Sequence, residues 1–147
     1  MELWVLFTAA VIAVTILVRH FFFNQVEQEV KEEPIEEELI ENKDDPYTLE
    51  ELSKFDGKDG RPIYMAVSGT VFNVSSKPEM YGPEGAYGLF SGKEATRGLA
   101  KSSLKVEDLQ PFGSKEGLTA GQLRTLADWE EYYKERYQIM GHVVESK

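Results

Sequence analysis

The sequence predicts an α+β domain carried behind a membrane-spanning helix and an acidic tether. Three observations predict it: an unbroken apolar run at the start, dense like charge behind it, and from Tyr47 onward a succession of helix and strand patterns. At 147 residues there is room for one core with attachments.

The apolar run "LWVLFTAAVIAVTILV" fills residues 3–18, followed by Arg19, His20 and three phenylalanines. As a helix, residues 3–23 reach roughly 30 Å, the thickness of a hydrocarbon core. Arg19 and His20 suit the interface, where a long cationic side chain can snorkel and aromatic rings are favoured. A cleaved signal peptide needs a basic leading region and a small-residue cleavage site beyond the apolar stretch. Here the leading residues are Met1 and Glu2, and Ala9, Ala10 and Ala13 lie inside the run. The segment therefore reads as a single-pass anchor, and the positive charge behind it places the rest of the chain in the cytosol.

Residues 24–46 hold ten Asp and Glu against two Lys, with Pro34 among them. Such a stretch reads as a solvated tether, able to reach roughly 75 Å if fully extended. It is either a spacer or an acidic contact strip for a basic face on another membrane protein. The tether carries most of the net charge of -10, since residues 47–147 hold 15 acidic and 13 basic side chains. No basic stripe is present, so nucleic acid is not an expected partner.

The predicted domain covers residues 47–144. "TLEELSKF" opens a helix with Thr48 as N-cap and Glu51 in the capping-box position. "RPIYMAVSGTVFNV" reads as two strands around a turn at Ser68 and Gly69. "SGKEATRGLA" reads as a short helix ending near Gly98. "TAGQLRTLADWEEYYKERY" is a longer helix capped by Thr119, with Leu123, Leu126, Trp129 (or Glu130), Tyr133 and Tyr137 near helical spacing. "YQIMGHVV" closes the domain as a strand. Asn73, Val74 and Ser75 form a glycosylation sequon, relevant only to a lumenal domain and placed in or beside the hairpin.

The absence of cysteine excludes disulfides, thiolate zinc sites and a haem-thiolate centre. There is no cysteine–histidine or serine–histidine–carboxylate grouping, and "SGKEAT" lacks the phosphate-loop spacing. No enzyme activity is expected. What stands out is "YGPEGAYGLF", residues 81–90, with two tyrosines and three glycines on one loop. Tyr81 and Tyr87 read either as core aromatics with hydroxyls at the rim or as a haem site, since tyrosine is a known axial ligand of haem iron. In the second reading one phenol becomes phenolate beside ferric iron and the other orients it. The glycines would allow backbone to approach a flat macrocycle.

"YGPEGAYGLFSGKEATRGLA", residues 81–100, closely resembles the membrane-associated progesterone receptor family, haem-binding proteins with a cytochrome b5-like fold that include the fungal damage-resistance proteins. "YTLEELSKFDGKDGRPIYMAVSGTVFNV" and "LADWEEYYKERYQIMG" resemble that family's opening helix with hairpin and its closing helix. The resemblance implies a cytochrome b5-like haem-binding domain with Tyr87 as the axial ligand of the iron of haem b and Tyr81 as the supporting phenol. It places Tyr137 as a second aromatic near the haem. Arg136 falls where many members carry lysine, and its planar fork changes the contact geometry. True cytochrome b5 holds haem between two histidines; this chain has only His20 and His142, and neither lies in a His-Pro-Gly-Gly loop. One tyrosinate ligand implies five-coordinate, high-spin iron held toward the ferric state, with an open face for a small ligand or for a second haem in a haem-mediated homodimer.

The function implied is a haem-dependent adaptor of the endoplasmic reticulum membrane that supports microsomal cytochrome P450 enzymes, including those of sterol synthesis, or delivers haem to them. The alternatives are an electron-transfer protein in the manner of cytochrome b5, a steroid-binding receptor component with a sterol ligand, and an interaction scaffold with an empty pocket.

Overall fold

The computed structural model describes residues 41–145. The expected anchor at residues 3–23 and the tether up to residue 40 lie outside the described residues. Among the described residues no helix is long and apolar enough to cross a membrane.

In chain order come β1 (Asp45–Tyr47), α1 (Leu49–Ser53), β2 (Tyr64–Val67), β3 (Thr70–Asn73), α2 (Pro78–Tyr81), α3 (Thr96–Ala100), α4 (Ala120–Arg136) and β4 (Gln138–Val143). Short 3-10 turns occupy Lys58–Gly60, Gly88–Phe90 and Val106–Leu109. The sheet order is β1-β4-β3-β2. β2 and β3 form an antiparallel hairpin, β4 returns antiparallel to β3, and β1 lies parallel to β4 at the edge.

The expected hairpin forms as the sequence indicates. Ser68 and Gly69 both take positive φ, 48° and 80°, the sign pattern of a type I′ turn whose twist suits the strands it joins. Because strand side chains alternate between faces, Met65, Val67 and Phe72 enter the larger core cluster, with Tyr81, Phe90 and Tyr133. Tyr64, Ala66 and Val71 enter a smaller one with Leu52 of α1. The sheet thus has a face for the tyrosine loop and another for the first helix.

Both expected N-caps are present, and each forms a capping box. The Glu51 amide donates to Thr48 Oγ1 at 3.1 Å, and Glu51 Oε2 accepts from the Thr48 amide at 2.9 Å. Thr119 and Gln122 repeat the exchange at the start of α4, at 3.2 and 3.0 Å. Both helix starts were therefore written locally.

Three expectations are corrected. Gly98 does not end its helix, which runs on to Ala100. A Cβ at Gly98 would lie 2.7 Å from Leu109 and 2.8 Å from Phe90, so the glycine serves close packing. Leu123, which falls near the helical spacing of Leu126 and Tyr133, does not share their burial and is 40% exposed. Tyr137 stands one residue beyond α4 in extended conformation, as its C-cap.

The sheet also takes in Asp45 and Pro46, which charge and proline had assigned to the tether; they pair with Gly141 and His142. His142 is exposed, as expected, with Nδ1 2.7 Å from Asp44 Oδ1. Asn73 lies within β3, paired with Tyr64 and Gln138.

Candidate functional site

The loop between α2 and α3 starts from a helix of four residues with proline in its first turn, where a missing amide costs nothing. Its last residue, Tyr81, points into the core. The chain then closes on itself. The Gly82 amide donates to the Pro78 carbonyl at 2.8 Å and the Tyr87 amide to the Met80 carbonyl at 2.9 Å. A Cβ on Gly82 or Gly85 would run into those same carbonyl oxygens. The loop glycines therefore serve its own tight closure.

This closure presents the two phenols differently. Tyr81 is 2% exposed, whereas Tyr87 is half-buried and packs against the same core. Their ring centroids are 5.9 Å apart. Phe90 stacks near Tyr87 at 6.1 Å, and the buried Tyr137 stands edge-on to Tyr81 at 6.2 Å. Three of the four residues singled out from the sequence therefore meet in one place. Arg136, the fourth, is exposed, with its guanidinium 4.2 Å above the Tyr132 ring. It donates to the Tyr132 carbonyl at 3.3 Å and to Glu135 Oε2 at 3.0 Å. Its charge is engaged along the exposed side of α4.

Sequence reading missed one member of the site. Tyr133 is 1% exposed, and its hydroxyl lies 2.8 Å from that of Tyr81. Its spacing from Tyr137 marked it only as a core position of α4. Nothing local signals the bond, because the partners are 52 positions apart in sequence.

Burial pushes the Tyr81 phenol well above its ordinary value, and the hydrogen bond to Tyr133 adds to the rise. Burial likewise raises Tyr133 and Tyr137. These three phenols are neutral hydroxyls at physiological pH, each with a proton to donate.

The donor chemistry fits a single-ligand haem site. Among the described residues no group of three or more His, Asp or Glu is placed to hold a metal ion. His142 is engaged with Asp44 on β4. At the loop, the ligating atom on offer is a phenol oxygen on the half-buried Tyr87, whose ring lies 5.9 Å from that of Tyr81. A hard anionic oxygen of this kind suits ferric iron.

Fold and site together define a cytochrome b5-like domain that lacks the paired histidines. Residues 48–139 match the family described as "Cytochrome b5-like Heme/Steroid binding domain". The chain is 43% identical over 99 residues to probable steroid-binding protein 3 of Arabidopsis thaliana, covering 67% of this chain and 97% of that one. It is 36% identical to human membrane-associated progesterone receptor component 2, covering 67% of this chain and 44% of that protein. It is 33% identical to the cytochrome P450 regulator dap1 of Schizosaccharomyces pombe, covering 67% and 62%. An Arabidopsis thaliana protein solved as having a cytochrome b5 like fold superposes with a TM-score of 0.62 at 42% identity, covering 69% of this chain and 92% of that one. The chain belongs to the membrane-associated progesterone receptor family, with its cytochrome b5-like domain as the shared part. Several relatives, the human one among them, extend well beyond the matched region.

Proposed function

We propose that this protein binds haem b through Tyr87 and, in that state, supports cytochrome P450 enzymes of the endoplasmic reticulum membrane or delivers haem to them. The observation that carries the reading is the half-buried Tyr87 beside the buried, neutral Tyr81. Bound there, haem would supply the chemistry of ferric iron. Tyr87 would hold the iron through its phenol oxygen, Tyr81 would orient that oxygen with its hydroxyl, and Tyr137 would close the aromatic wall. Arg136, one residue from Tyr137, is placed to compensate negative charge at the rim if its contact with Glu135 opens.

The name of the fission-yeast relative, a cytochrome P450 regulator, supports the partner class. A membrane anchor at residues 3–23 would hold the domain on the surface where such enzymes sit, raising effective concentration without new contacts. A homodimer, if it forms, would be mediated by the bound haem. The test is co-purification of the full chain with a microsomal cytochrome P450 in lipid nanodiscs. Haem-loaded protein is expected to retain the enzyme, and Tyr87→Phe to retain no more than haem-free protein does. Equal retention by all three would remove haem from the interaction.

A second reading is favoured by the names of the plant relatives, which are steroid-binding proteins. A sterol would use the same aromatic wall, and competition between a labelled sterol and haem for the one site distinguishes the two.

A further inference from the structure

We infer that Tyr133 is a positioning residue that sets the direction of a hydroxyl chain running Tyr133→Tyr81→Tyr87. The inference rests on Tyr87 being the haem ligand, as proposed above.

The argument counts protons. The Tyr81 and Tyr133 hydroxyls are 2.8 Å apart, and either can be the donor. Each carries one proton. If Tyr81 donates to Tyr133, its proton is used and Tyr87 receives nothing. If Tyr133 donates, the Tyr81 proton is free for the neighbouring loop phenol, Tyr87, whose ring centroid lies 5.9 Å from that of Tyr81. A phenolate at Tyr87 is the stronger acceptor, so it selects the second arrangement. The bond accepted from Tyr133 then polarises the Tyr81 O–H and strengthens what it donates.

Tyr133 is built for one partner. It is 1% exposed and walled by Phe72 at 5.6 Å, Trp129 at 6.0 Å, Tyr132 at 5.4 Å and Tyr137 at 5.5 Å. Among the described residues its hydroxyl has Tyr81 as its one hydrogen-bond partner. A position that needed only packing would be served by phenylalanine, which carries no hydroxyl to desolvate. Tyr137, edge-on to Tyr81, is the competing donor.

The test is a set of spectra and midpoint potentials on the haem-loaded full chain: wild type, Tyr81→Phe, Tyr133→Phe, Tyr137→Phe, Tyr87→Phe and the Tyr81→Phe/Tyr133→Phe double variant. Tyr133→Phe is expected to keep the haem, with affinity about fivefold weaker for one lost hydrogen bond. Its phenolate becomes more electron-rich, so the charge-transfer band moves to longer wavelength and the ferric–ferrous potential becomes more negative. Both shifts follow the sense of Tyr81→Phe and are smaller. Because Tyr133 acts through Tyr81, the double variant should match Tyr81→Phe alone. In haem-free protein, a slowly exchanging tyrosine hydroxyl proton seen by NMR in the wild type should disappear in Tyr133→Phe. Spectra and potential unchanged in Tyr133→Phe while Tyr87→Phe destroys the charge-transfer band would overturn this inference alone. So would a double variant whose shifts add, or a shift confined to Tyr137→Phe. An unaltered Tyr87→Phe spectrum would overturn both this inference and the haem-ligand reading beneath it.

Discussion

Tyr81, Tyr87, Tyr132, Tyr133 and Tyr137 share one aromatic neighbourhood, and what separates their roles is access to water. Removing a phenol from water penalises its anion, so the buried Tyr81, Tyr133 and Tyr137 hold their protons more tightly than a free phenol does. The same asymmetry gives stability a pH dependence. Tyr81, Tyr133 and Tyr137 all have folded values raised above the ordinary 10.0. Above pH 10 the unfolded chain releases these protons and the folded one holds them, so stability is complete below that point and falls as pH rises beyond it. Urea midpoints of haem-free protein measured from pH 8 to 11.5 should be flat at first and then decline. Tyr133→Phe, with one such group fewer, should decline less steeply; an identical slope would mean that Tyr133 ionises freely in the fold.

Elements differ in how much of their cause is local. The hairpin turn at Ser68 and Gly69, and the N-caps at Thr48 and Thr119, are specified by residues within four positions, and the sequence showed them. β1 is three residues long and includes a proline; only its pairing with β4, nearly a hundred positions away, makes it a strand. α2 is a single turn held by the loop that folds back on it. Gly98 misled because a glycine at a helix end and a glycine under a leucine look alike in sequence. Glu94 shows the same limit. This carboxylate, 2% exposed, accepts from the Gly69 and Thr96 amides, each at 3.0 Å, and from the Thr96 hydroxyl. It fastens the hairpin turn to the start of α3, behind the tyrosine loop. Glu94→Gln leaves at least one of those amides facing an NH2 group, and should cost about 2 kcal/mol in urea unfolding. Its haem spectrum should stay as in the wild type, because Glu94's hydrogen bonds go to Gly69 and Thr96, which brace the fold. A change below half that size would show the latch to be dispensable.

At the scale of the molecule, an acidic segment and a nearly neutral domain divide the chain's charge, and the domain concentrates its aromatic rings on one side of a four-stranded sheet. That division was legible in composition, and the α+β class followed from the order of periodic segments. The loop phenols were visible as residues, but nothing local told a buried Tyr81 from a half-buried Tyr87. Tyr133 stayed hidden because burial and long-range contact, rather than spacing, give it its role. The account stands or falls on Tyr87 as ligand. The measurement that tests it most directly is the ultraviolet-visible spectrum of the haem-reconstituted full chain beside Tyr87→Phe. A high-spin ferric Soret band with a charge-transfer feature, lost in Tyr87→Phe, is the predicted result. A low-spin spectrum of two nitrogen ligands, unchanged by Tyr87→Phe, would contradict it and return both loop phenols to the core.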